Sequence, residues 1–185
     1  AAHLALAAIH AQRETFRDAD TVRVHPIITK GGASVNSVPA DVRMETYVRA
    51  SNVPAILNAS EKIDRALRAG ALATGASVRI QTNPGYLPTK YDKSLTEIYR
   101  NNASTLVGDD NVITLNHSTG CTDVGDVSQI IATIQPTANA TSGNGHGIDY
   151  LVDNYDLAVL KAGKAMGMTV IDLLTGDGAM GSKIA

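Results

Sequence analysis

Three groups of residues have types and spacings that suit chemistry, and one further residue, Arg49, stands beside the first of them. His25 stands in a β-branched run, Val24-His25-Pro26-Ile27-Ile28-Thr29, with the polar amide of Asn36 a short loop away in Asn36-Ser37-Val38-Pro39. Arg49 follows on a second β-rich run, where its guanidinium suits either a two-pronged hold on a carboxylate or an ordinary surface ion pair. Asp123 and Asp126 lie in a Gly-rich loop, Ser118 to Asp126, and a carboxylate in such a turn either binds a ligand or satisfies nearby backbone N–H groups. His146 sits in Ser142-Gly143-Asn144-Gly145-His146-Gly147, where glycines such as Gly145 let backbone and ligand approach closely. A His on a strand is commonly just a packed or surface residue, so spacing alone leaves both readings open at each place. His3 and His10 are seven residues apart on a helical pattern without a carboxylate or Cys at ligand spacing, and they read as ordinary helix histidines.

The elements that must position these groups follow from periodicity. Thr21–Thr29 is β-branched, and Val42–Ala50 alternates Val42, Met44, Thr46 and Val48 against Arg43, Glu45, Tyr47 and Arg49, so the two read as an antiparallel strand pair. Lys30-Gly31-Gly32 opens the long loop between them. Ala1–Asp18 is an Ala-rich helical stretch with Leu4, Ala8 and Ala11 on one stripe. Ser51-Asn52 and Pro54 start a second helix, Pro54–Thr74, which buries Ile56, Ala59, Ile63, Leu67 and Ala71 and stops at Gly75. Ser77–Gln81 alternates as a third strand. Helix, strand, strand, helix, strand is the order of a ferredoxin-like unit that lacks its first strand, with one sheet and both helices on a single face.

Pro88 and the tyrosines of residues 86–92 mark a linker, which divides the chain into 1–88 and 89–185. In the second part, Ser94 with Glu97 suggests a capping box, 112–115 and 129–134 read as short strands, and 156–174 reads as a helix that presents Leu157, Leu160, Met168 and Ile171 to a core before Gly176. The fold class expected is therefore α+β.

Composition excludes several functions. A formal net charge of -2, from 16 basic and 18 acidic residues, gives no field that draws nucleic acid. No apolar run approaches the roughly 20 residues of a membrane span. The lone Cys121 has no partner for an internal disulfide and reads as a small buried residue, which with the absence of a signal-peptide pattern suggests a cytoplasmic setting. The chain enters its first helical pattern at Ala1 without a capping residue, as a segment of a longer polypeptide would.

Together the motifs resemble a known family. His25-Pro26-Ile27-Ile28, Gly31-Gly32, Asn36-Ser37-Val38-Pro39 and Tyr47-Val48-Arg49-Ala50 are similar, in order, to the lid or dimerisation domain of metallopeptidase family twenty, the aminoacylase, carboxypeptidase G and aminobenzoyl-glutamate hydrolase group. The segment 120–128 resembles the Gly-Ser-Thr-Asp loop of its amidohydrolase branch, and His146 falls where that family places its last metal-ligand His. The resemblance implies a ferredoxin-like lid followed by the C-terminal α/β part of a catalytic domain that uses two zinc ions. It implies hydrolysis, by metal-activated water, of an N-acyl amino acid, a dipeptide or an aminobenzoyl-glutamate-like amide, with a homodimer formed through the lid. His25 then corresponds to the lid His that reaches a partner's active site as oxyanion donor. Asn36, Arg49, Asp123 and Gly145 correspond to substrate-contacting positions, and His146 to a metal ligand. Most of the family's other ligands precede the lid and have no counterpart in this chain. One departure is Ile134-Gln135-Pro136, where the branch often carries Ile-His-Pro, and His117 and Gln135 receive no role. The rival reading is a non-catalytic ferredoxin-like module for dimerisation or small-molecule binding.

Overall fold

Two helices that meet through small residues organise the N-terminal part of the chain. In a computed structural model that describes residues 1–115 and 120–184, the chain divides into two compact units, one built on Ala1–Pro88 and the other on the described residues from Thr89 onward, with Gly120 and Cys121 returning to the first. The architecture is α+β, with helices and small antiparallel ladders.

In the first unit, α1 (Ala2–Gln12) packs along α2 (Val53–Leu72). The buried residues of α1 are Ala5 and Ile9; of the expected stripe, Ala8 is half-buried and packs on the core cluster, whereas Ala11 is exposed and Leu4 is 44% exposed. The reason lies opposite, because a Cβ on Gly70 would stand 2.6 Å from the Ala5 nitrogen and 2.7 Å from the Ala1 oxygen. Backbones this close admit only small side chains between them, so the Leu is turned outward. Helix α2 starts as its sequence suggests, with the Asn52 side chain accepting from Ala55 N–H at 2.9 Å and Pro54 in the first turn. Ala55, Ala59, Ile63, Ala66, Gly70 and Ala71 form its buried face. Arg68 reaches Asp64 at 3.5 Å on its outer side, an exposed pair that adds little.

The strand pair is present but broken. Strand β1 (Arg23–Val24) pairs with β4 (Val48–Arg49), and β2 (Ile27–Lys30) pairs with β3 (Arg43–Glu45), both antiparallel. The continuous strands expected over Thr21–Thr29 and Val42–Ala50 are thus each interrupted, because Pro26 lacks the N–H that a continuous ladder needs. A register shift between Ile28 and Lys30 adds a bulge just before the loop. Val24 and Val48 are cross-strand partners, and both pack on the cluster of Ile9, Ile63 and Ala66, so one ladder face meets both helices. Arg13 donates to the Val24 carbonyl at 2.7 Å. Lys62 donates to the Thr15 carbonyl at 2.7 Å and lies 5.3 Å over the Phe16 ring, tying the segment after α1 to α2.

Ser77–Gln81 forms no strand. The third strand on which the ferredoxin-like sheet depends is therefore not made, and each ladder of this unit has two strands. Val78 is 43% exposed, and alternation without a neighbouring strand to pack on does not create a ladder.

In the second unit, α3 (Lys93–Val107) packs against α5 (Ala162–Leu174). Its cap is Asp92 rather than the expected Ser94: the Asp92 carboxylate accepts from Leu95 N–H at 2.7 Å, and the Asp92 carbonyl accepts from the Thr96 hydroxyl at 2.6 Å. Gly108, at φ +86°, ends the helix, and Arg100 and Ser104 hold Asp109 at 2.8 and 3.0 Å. The α3–α5 contact is polar at its centre. Buried Asn102 donates to Thr169 Oγ1 at 3.2 Å and to Asp172 Oδ2 at 2.7 Å, while the Thr169 hydroxyl donates to the Ala165 carbonyl at 2.8 Å.

The helical segment that packs on α3 opens with a π-helical turn over Asp156–Lys161 and continues as α5. Its buried residues are Ala165 and Thr169, whereas Leu160 and Ile171, expected in the core, are 56% and 60% exposed. The expected strands at 112–115 and 129–134 are not formed. The Gly-rich segment instead winds into a short helix, α4 (Val124–Val127), whose following turn takes up residues 128–130. A hairpin follows, β5 (Thr141–Ser142) against β6 (Leu151–Val152), and α6 (Gly181–Ile184) closes the chain. Among the described residues, no helix is long and apolar enough to cross a membrane.

Candidate functional site

The first unit carries one set of candidate residues on its split hairpin. His25 lies in the gap between β1 and β2, and the flanking pairs Val24↔Val48 and Ile27↔Glu45 set it across from Thr46 and Tyr47. It is exposed, and its imidazole makes no hydrogen bond to any described residue, which leaves both ring nitrogens open to a ligand. Pro26 is thus both the reason for the gap and the residue that fixes the backbone beside His25.

The loop of residues 31–42 carries Asn36. Its ends are clamped by charge: Lys30 Nζ meets Asp41 Oδ2 at 2.9 Å, and Arg43 Nη2 meets the same oxygen at 3.0 Å. Inside the loop the Ser34 hydroxyl donates to Asn36 Oδ1, and Gly32, at φ +144°, lies against the Pro39 ring. The Nδ2 group of Asn36 remains available as a donor at the exposed loop tip. Sequence reasoning missed Asp41; the signal was there, since a carboxylate two residues before Arg43 and eleven after Lys30 can close the loop between them. Hydrogen bonds from Lys30 and then Arg43 hold the Asp41 carboxyl below its ordinary value of 3.8. Because the folded value is the lower one, the clamp contributes above the ordinary value and is lost as pH falls through the folded one. A side-chain NMR titration is expected to give Asp41 a midpoint below 3.8 that moves up in Lys30→Ala; an unshifted Asp41 would remove the clamp.

Arg49, on β4, is exposed, with its guanidinium 5.4 Å from the centre of the Tyr47 ring. Stacking orients the charged fork without consuming its N–H donors, so Arg49 stays competent to hold a carboxylate. No ion pair engages it among the described residues.

The second unit carries the others. Asp123 occupies the N-cap position of α4, yet its carboxylate makes no cap hydrogen bond and is exposed. Beside it, the Thr122 hydroxyl donates to Gln135 Oε1 at 3.2 Å, which gives Gln135 a structural contact. Cys121 is a half-buried free thiol. His117 lies outside the described residues. His146 is at the tip of the β5–β6 loop, exposed and left-handed at φ +66°, a conformation uncommon for a residue with a side chain. Gly143, at φ +82°, runs hard against the Asp149 carbonyl, and Gly145 has open space around it. The structure thus sets His25, Asn36 and Arg49 on one hairpin, and Gly145 and His146 on another.

The donor set bears on the zinc expectation. Among the described residues, no group of three or more His, Cys, Asp or Glu side chains lies together as a metal site. A zinc centre needs at least three protein ligands, so the described residues do not hold the metal by themselves, and a ligand role for His146 would need donors from elsewhere. Calorimetric titration of the chain with zinc is expected to show no stoichiometric binding. Tight one-to-one binding would mean that Asp123, Asp126 or His117 joins His146.

No family model matches the chain. Among curated proteins it is similar to the Xaa-Arg dipeptidase of Mus musculus, 31% identical over 164 residues that make up 83% of this chain and 38% of the relative. It is also similar to the Xaa-Arg dipeptidase of Homo sapiens, 29% identical over 164 residues, 83% of this chain and 37% of the relative. The chain therefore spans 38% and 37% of the lengths of these two relatives. Over most of its own length, the protein's likeness is to peptidases.

Proposed function

We propose that this chain forms the lid and the C-terminal catalytic part of a metal-dependent dipeptidase that cleaves the amide bond of a small substrate. The observation that carries the reading is the likeness to two dipeptidases across 83% of the chain. It is supported by the split hairpin, on which His25, Asn36 and Arg49 are each exposed. In this reading His25 donates to the oxygen on which charge develops when water attacks the amide carbonyl, a task for an imidazole not already spent on the protein. Asn36 Nδ2 contacts the substrate beside it. Arg49, oriented by Tyr47, takes the carboxylate of the substrate's C-terminal residue.

The relatives are Xaa-Arg dipeptidases, which points to a substrate with a cationic C-terminal residue. Asp123 suits that side chain, because its carboxylate is exposed and not consumed in capping α4. Gly145 keeps the backbone beside His146 open to the ligand. His146 would be this chain's one ligand to a pair of zinc ions held mostly by donors from elsewhere, and that metal would supply the activation of water. Ile27 and Ile28, 51% and 45% exposed on the hairpin, provide an apolar surface suited to the homodimer.

The experiment is a substrate panel on the longest polypeptide that carries this chain: Xaa-Arg dipeptides, dipeptides ending in neutral and acidic residues, N-acyl amino acids and aminobenzoyl-glutamate. Cleavage that favours Arg-terminated dipeptides and weakens in Asp123→Asn is expected. Preference for aminobenzoyl-glutamate would reassign the substrate, and no cleavage of any amide by the folded protein would favour a non-catalytic dimerisation or small-molecule-binding module.

A further inference from the structure

The β5–β6 loop holds the sequence's one Asn-Gly pair, Asn144-Gly145, and both residues are exposed. The backbone bonds that close this loop run from Gly147 N–H to the Asn144 carbonyl at 2.7 Å and from Tyr150 N–H to the Gly147 carbonyl at 3.3 Å. Gly145 N–H is absent from that set, and it has no other bond among the described residues. Nothing lies within 4 Å of where a Cβ on Gly145 would stand. The Gly145 nitrogen is therefore uncommitted, unshielded by a side chain of its own and one residue from a side-chain amide.

We propose that Asn144 is a site of spontaneous deamidation. The Gly145 nitrogen attacks Asn144 Cγ; the new N–Cγ bond forms, the Cγ–Nδ2 bond breaks, and Nδ2 departs as ammonia carrying the proton that Gly145 N–H gives up. Water then opens the five-membered imide. Addition at Cγ leaves aspartate in a normal backbone, and addition at the backbone carbonyl leaves isoaspartate, whose main chain runs through Cβ with one extra carbon. No oxidant, reductant or enzyme is required, and the inference stands whether or not the peptidase reading does.

The loop is poorly placed to absorb either product. Asn144 N–H faces Asp149 Oδ2 at 3.4 Å, so a new carboxylate at residue 144 sets two negative charges in one turn. An extra backbone carbon breaks the spacing that joins Gly147 N–H to the Asn144 carbonyl and that holds His146 at φ +66°. Modification therefore adds negative charge to, and loosens, the hairpin tip that presents His146.

The test incubates the purified chain at neutral pH and physiological temperature and maps its peptides by mass spectrometry, with an isoaspartate methyl-transfer assay alongside. Asn58 and Asn139 are internal controls, since both are exposed and each precedes Ala. Conversion at Asn144, read as a gain of about one dalton, is expected to run at least about tenfold faster than at either control and to fall about tenfold in Gly145→Ala, because a methyl group shields the attacking nitrogen. Residue 145 has open space and a backbone that a side chain tolerates, so the variant keeps the loop. Conversion at Asn144 no faster than at Asn139, or unchanged in Gly145→Ala, overturns the proposal.

Discussion

His25→Ala, made in the longest polypeptide that carries this chain, is expected to lower kcat by about 10²- to 10³-fold, the loss seen when one oxyanion donor is removed. Thermal stability should barely move. His25 is exposed, makes no hydrogen bond to a described residue and lies in a ladder gap that Pro26 already creates, so its side chain contributes nothing that the fold would miss. The two quantities thus separate function from packing. If the donor acts across a dimer, mixing His25→Ala with His146→Ala should restore part of the activity, because one site of each hybrid dimer regains both groups. Unchanged turnover, or a loss that follows unfolding, would make His25 a surface residue of the hairpin.

Gly70→Ala is expected to destabilise the first unit by about 1–3 kcal/mol, the usual cost of overpacking. Intrinsic propensity argues the other way, since Ala in a helix interior is favoured over Gly by about 0.5–1 kcal/mol. Geometry decides, because the added Cβ would stand 2.6 Å from the Ala5 nitrogen and 2.8 Å from its Cα, and backbone atoms of a packed helix cannot step aside as a side-chain tip can. Gly163 and Gly167 on α5 are the matched contrast. Neither would meet an atom within 4 Å, so Ala there should stabilise by about 0.5–1 kcal/mol. Chemical denaturation of the three variants reads the signs directly. A stabilising Gly70→Ala would show that α1 and α2 are not held at this separation.

What the sequence made legible was local. Helix α2 was readable because Asn52, Pro54 and a repeating apolar stripe all point one way. The pairing of the two β-rich runs was readable from alternation, and Pro26, visible in the sequence, is what splits them. Hidden were the features set by a partner segment. Leu4 looked like core until Gly70 brought the α2 backbone against Ala5. Ser77–Gln81 had a strand's pattern but no strand to pair with. The α3 cap went to Asp92 over Ser94 by a two-residue margin that propensity does not resolve, and α5 buried Thr169 in place of Ile171 because Asn102 faced it with a hydrogen bond. At the candidate site only residue types were legible, whereas Pro26's gap, the Asp41 clamp and the left-handed His146 emerged from folding.

The most direct measurement of the central claim is the rate of arginine release from a single Xaa-Arg dipeptide by the longest polypeptide that carries this chain, before and after treatment with a chelator. Release is expected before treatment, with its loss on chelation and its return when zinc is added back. Release that persists undiminished in the chelated protein, or a folded, zinc-supplemented protein that frees no arginine, would contradict that claim.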